Sequence, residues 1–93
     1  MSDFGRKHNL VLVIWRDTRE VDSGTWHDMT EVVKTASSVI HSVGWVVQET
    51  ETDLKVSADL PEDIGDTEVG RTTIIPRGCI ENIINVRCEK DDD

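Results

Sequence analysis

Residues 38–58 read Ser38-Val-Ile-His-Ser-Val-Gly-Trp45-Val-Val-Gln-Glu49-Thr-Glu-Thr-Asp53-Leu-Lys-Val-Ser-Ala58. Val39, Val43, Trp45 and Val47 recur at a period of two, and Leu54, Val56 and Ala58 alternate with Lys55, Ser57 and Asp59. Successive side chains of a strand point to opposite faces, so each half of the segment reads as a strand with one apolar side. Thr50 to Asp53 forms a polar turn between them, and the whole predicts a β-hairpin.

Upstream, Asp28 followed three residues later by Glu31 fits a capping box and predicts a helix start. Met29, Val32, Val33 and Ala36 fall on one helical stripe, which either stops there or runs on to about Ser42 through Ile40 and Val43. Ser37, Ser38, Val39, Ile40, Ser42 and Val43 are poor or middling helix formers. The reading adopted is a short helix over 28–36 and a long strand from about Ser38 to Thr50. Further upstream, Leu10-Val-Leu-Val-Ile-Trp15 is a continuous apolar run rich in β-branched residues, which predicts a strand buried on both faces. Arg16 to Trp26 carries turn-forming residues and reads as a loop.

Downstream, Leu60 to Gly70 holds Pro61, Gly65 and a group of acids, and reads as a solvated loop. Thr72 to Ile75 returns to β composition, Pro76 interrupts it, and Ile80, Ile83, Ile84 and Val86 resume it. One strand, a helix-bearing connection and four hairpin-linked strands make a mainly β fold. Five short antiparallel strands settle their edges most simply by curling into a small barrel. The expected organisation is a flexible N-terminus (1–8), one β-barrel domain (9–88) and an acidic tail (89–93).

The chain has 93 residues, within the size of one domain, and its charges sum to −9 at pH 7. A field of that sign disfavours a nucleic acid polymer as partner, whereas a small anion met by a few local arginines stays compatible with it. Cys79 and Cys88 are the two cysteines, too few for a disulfide framework. No apolar run approaches the roughly 20 residues that span a bilayer, and Met1 to His8 lacks the apolar core of a signal peptide. The expectation is a soluble, cytoplasmic protein with no membrane partner.

The segment Ile75-Pro-Arg77-Gly78-Cys-Ile80-Glu-Asn-Ile83 resembles the last two strands of SH3-like barrels, and its Arg-Gly pair resembles the second signature of Sm-like proteins. The first Sm signature has no counterpart here. Val13-Ile-Trp-Arg-Asp17, Trp26, Ser42-Val-Gly-Trp45, Glu49 and the Ile-Pro-Arg-Gly segment together resemble a group of small bacteriophage proteins. That resemblance implies a short viral accessory protein, of a class that includes inhibitors of host defence, acting in the host cytoplasm.

Indole can fill a core or offer a flat face for a purine. Trp15 and Trp45 lie inside strand patterns, which favours packing. Trp26 sits among polar residues and either staples the helix or contacts a ligand or partner. Arg16, Arg19, Arg71 and Arg77 fall at strand ends or in turns, where a barrel rim can gather them around phosphates with help from Thr72. Alternatively, each pairs with one of the chain's many carboxylates. His8, His27 and His41 have no metal-ligand spacing, no catalytic frame is present, and neither cofactor nor metal is expected. Two functions follow as expectations. In the first, Trp26, Trp45, Arg16, Arg19, Arg71, Thr72 and Arg77 hold a small anionic, nucleotide-type signalling molecule and sequester it, without catalysis. In the second, an acidic Glu49–Glu68 face occupies a basic surface of a host protein. A lean core further suggests a homo-oligomer.

Overall fold

The computed structural model describes residues 8–21, 24–63 and 65–86. The expected flexible N-terminus up to Lys7, the acidic tail and Cys88 lie outside them. Five strands, β1 (Leu10–Asp17), β2 (Ser38–Glu49), β3 (Asp53–Asp59), β4 (Gly70–Pro76) and β5 (Ile80–Asn85), form one antiparallel sheet in the order β4-β3-β2-β1-β5. A short helix, α1 (Met29–Lys34), interrupts the connection from β1 to β2, and a 3-10 turn at Arg77–Cys79 joins β4 to β5.

The hairpin of β2 and β3 is paired with Trp45 opposite Ser57 and Glu49 opposite Leu54. At Thr50–Asp53 the turn is closed by the Thr50 amide donating to the Asp53 carbonyl and the Asp53 amide donating to Thr50 Oγ1. Gly44 is required by close approach: a Cβ there would stand 3.0 Å from the Ser57 carbonyl oxygen and 3.3 Å from Val56 Cβ. β1 continues to Asp17, two residues into the expected loop, because Arg16 and Asp17 still pair with Val39 and Ser38.

One face of the sheet carries the core. Val11, Val13, Leu54, Val56 and Ile75 are buried, with Trp15, Val46, Ile80 and Ile83 packed against them. Ile75 belongs to one edge strand and Ile80 to the other, so their meeting in one cluster requires the sheet to curl. Register irregularities at Ile14/Trp15 and between Val46 and Gln48 supply local bends of the kind that increase twist. The curl is not a closure, since β4 and β5 each have one hydrogen-bonded neighbour.

The opposite face corrects the expectation for β1. Val11 and Val13 are buried, but Leu10, Leu12 and Ile14 on the outer side are only half-buried, because no helix or second sheet among the described residues covers them. The helix also differs from its expected form. Asp28 caps it by accepting from the Thr30 amide at 3.4 Å, but the Glu31 side chain does not complete the box. Thr35 adopts an extended conformation and ends the helix at Lys34, two residues short of the expected Ala36. None of its residues is buried, so the stripe of Met29, Val32 and Val33 faces no core.

Candidate functional site

Arg16, Arg71 and Arg77 are each engaged by a carboxylate. Arg16, near the end of β1, donates from Nε to Glu81 Oε2 at 2.6 Å and from Nη1 to the Ser37 carbonyl at 3.2 Å. It thereby ties the end of β1 to the start of β5 and to the approach to β2. Arg77 donates from Nε to the Thr50 carbonyl at 3.2 Å, and its Nη2 lies 3.9 Å from Glu49 Oε2. Arg71 grips Asp59 with two bonds, Nε to Oδ2 at 2.8 Å and Nη2 to Oδ1 at 3.0 Å. That fork holds the Asp59 carboxyl below its usual range and raises the guanidinium, the hydrogen bond being the largest cause in both. Arg71 also takes a left-handed φ of 53°, and the adjacent Gly70 has room for a Cβ only at 3.2 Å from Asp59 Oδ2.

These positions do not form one rim. Arg71 opens β4 and Arg77 follows its end, about 20 Å away at the rise of a strand. Thr72 is turned to the sheet, where its Oγ1 lies 2.6 Å from the Oγ of wholly buried Ser57. Trp45 is half-buried on the outer face, between Leu10 and Ser57 in register. Trp15 packs on the core and donates from Nε1 to Ser42 Oγ at 3.0 Å. Trp26 lies in the β1–β2 connection, 92% exposed. Arg19 lines a cleft of about 350 Å³ with Thr18, Val21, Val32, Thr35, Ala36 and Ser37. No group of His, Cys, Asp and Glu that could hold a metal ion occurs among the described residues. His8 is used structurally, its Nδ1 lying 2.8 Å from the Val46 carbonyl oxygen.

The acids are also divided. Glu49 and Glu51 lie at the β2–β3 turn, while Glu62, Asp63, Asp66 and Glu68 occupy the loop after Asp59, at the other end of β3. The Glu49–Glu68 stretch is therefore two acidic ends separated by the length of a strand. In the loop, Asp63 Oδ1 accepts from the Gly65 amide at 3.0 Å and Asp66 Oδ1 from the Glu68 amide at 2.9 Å. These side-chain turns fix the loop without neutralising it. Among the described residues, none of the four carboxylates meets a Lys or Arg.

Met29 and Val33, read from the sequence as part of a helical stripe, are 79% and 78% exposed, as Trp26 is at 92%. The available signal for their exposure was the absence of any second helix for the stripe to pack on. No protein-family model, curated protein or solved structure matches this chain.

Proposed function

We propose that this chain is a non-enzymatic, acidic protein-interaction module whose Glu62–Glu68 loop occupies a basic, polyanion-binding surface of another protein. The observation that carries the reading is the distribution of ion pairs. Arg16, Arg71 and Arg77 are each drawn to a carboxylate of this chain, whereas the four acids of the loop meet no cation among the described residues. The unneutralised field of the molecule is thus negative at a loop whose backbone is already fixed by Asp63 and Asp66. Complementary potentials of this kind steer encounter and suppress wrong partners. The bacteriophage resemblance supports an accessory role in which a host defence protein is the target. The five-stranded curled sheet with its 3-10 turn supports placing the fold with SH3-like barrels, in a form with separate edges.

The test compares the chain with a variant carrying Glu62→Gln, Asp63→Asn, Asp66→Asn and Glu68→Gln, which keeps the Asx turns and removes four charges. Both are measured against immobilised nucleic-acid-binding host proteins. Binding near 0.1 M salt is expected to disappear in the variant, and also at 1 M salt, where the Debye length falls from about 10 to about 3 Å. Binding that survives 1 M salt, or that the variant retains, overturns the reading.

A second reading rests on the open cleft that Arg19 lines with Thr18, Thr35 and Ser37. Here the chain would sequester a nucleotide-type anion, with Arg19 on the phosphate and Trp26 on the base, since Trp45 lies at the opposite end of the β1–β2 ladder from the cleft. A nucleotide panel in a thermal-shift assay decides it. At a hundredfold excess over Kd, stabilisation of about 2.7 kcal/mol is expected, and Arg19→Ala abolishes it. No shift with any nucleotide removes this alternative.

A further inference from the structure

The sheet is open, and its register fixes which main-chain groups the edge strand β4 leaves unmade. The Arg77 amide donates to the Thr52 carbonyl, and in the same register Leu54 faces Ile75 and Val56 faces Thr73. Hydrogen-bonded pairs alternate with non-bonded ones along an antiparallel ladder. Thr73, Ile75 and Arg77 therefore bond towards β3, while Thr72, Ile74 and Pro76 turn their main-chain groups away from it. No described strand lies on that side. The free edge offers the N–H and C=O of Thr72 and Ile74 and the C=O of Pro76, which has no donor. Beside it, on the outer face, the Ile74 side chain is 57% exposed.

Such an edge fits an extended chain that adds a strand. Charge selects which chain. The 62–68 loop runs into β4, Glu68 standing two residues before Gly70, and its four carboxylates meet no Lys or Arg among the described residues. Arg71 does not neutralise them, because its guanidinium is closed on Asp59. A second copy of this chain would bring nine further net negative charges to the same edge, which opposes pairing of like with like. A cationic segment is instead attracted. The edge is also short, bounded by the left-handed Arg71 and by Pro76, so its few main-chain bonds need the attraction of the loop to hold a partner.

We propose that β4 takes up a strand of the partner: an extended segment pairs antiparallel with residues 72–74, sets an apolar side chain beside Ile74, and continues past Gly70 with Lys or Arg against the 62–68 loop. This rests on the reading of that loop as the docking element and names what it docks. Ile74 and Gly70 are four residues apart, so the apolar and cationic positions of the segment are separated by about 13 Å of extended chain.

The probe is the labelled, acetylated peptide Thr-Val-Thr-Val-Thr-Lys-Lys-Lys, titrated with the full chain near 0.1 M salt. Its valines match Ile74 and Thr72 in the antiparallel register, so their N–H groups face the edge and those of the threonines face solvent. The peptide is expected to bind and to slow hydrogen exchange at the Thr72 and Ile74 amides by about tenfold or more. N-methylation of the valines is expected to weaken binding by about tenfold or more, and N-methylation of the internal threonines to change it by less than about twofold. Ile74→Pro removes an outward donor without touching the β3 ladder and is expected to act like valine methylation, with its circular dichroism and melting temperature establishing that it is folded. The charge-neutral loop variant is expected to lose the peptide. Binding that ignores valine methylation but is lost in the loop variant overturns the edge proposal and leaves the loop reading standing. Binding that the loop variant retains overturns both. A peptide that does not bind overturns the edge proposal, while the folded host proteins still decide the loop.

Discussion

Asp59 and Arg71 show how much one residue's conformation can contribute to a charge pair. Arg71 is held at a φ that side chains other than glycine rarely adopt, and Gly70 keeps the space beside it clear for Asp59. The resulting two-bond fork lowers the Asp59 pKa. A carboxyl with a depressed folded pKa stabilises the fold above its unfolded pKa, and that contribution is lost as pH falls through the folded value. Asp59 is therefore expected to titrate below ordinary aspartates in a carbon-detected NMR titration, and Arg71→Gln to move it back up. An unchanged midpoint in the variant would show that the fork is not the cause. The pairing itself was not legible in the sequence. Arg16 and Glu81 are 65 residues apart and Arg71 and Asp59 are 12 apart, and only the strand register decides that they meet.

At the scale of elements, the sequence was most informative where one period dominated. The strand beginning at Ser38 was legible because serines and β-branched residues disfavour helix while alternating apolar positions favour a strand, and β2 is Ser38–Glu49. The Leu10–Trp15 run misled for a definite reason. Both parities are apolar, and composition cannot say whether a second layer exists to cover the outer one. The same ambiguity affected α1, whose stripe looks like a core face but meets no partner layer. Because no residue of α1 is buried, its stability is expected to be largely uncoupled from that of the sheet. Asp28→Ala removes a cap that typically contributes about 0.5–2 kcal/mol to a helix. It is expected to raise amide exchange at residues 30–34 while leaving the melting temperature of the sheet unchanged. A clear fall in that temperature would mean that α1 supports the core.

For the molecule as a whole, electrostatics opposes folding more than the ion pairs favour it. The three described salt bridges are all substantially exposed, and exposed pairs contribute little. Against them stands the self-repulsion of nine net negative charges. Raising sodium chloride from about 10 mM to about 150 mM shortens the Debye length from about 30 to about 8 Å, and the melting temperature is expected to rise. A fall would place the balance with the ion pairs instead. The mainly β character and single sheet were legible from patterning, whereas the open edges were not. A hydrogen-bonded seam between β4 and β5 depends on the accumulated bend of all five strands and leaves no local mark in sequence.

The placement of the three tryptophans has an optical consequence. The chain has no tyrosine, so its near-ultraviolet emission comes almost entirely from one indole on the core side, one on the outer sheet and one in the open connection. The last should emit furthest to the red and be quenched first by acrylamide. Trp26 is thus a native fluorophore open to solvent, and whatever comes to rest on it announces itself as a blue shift without any dye.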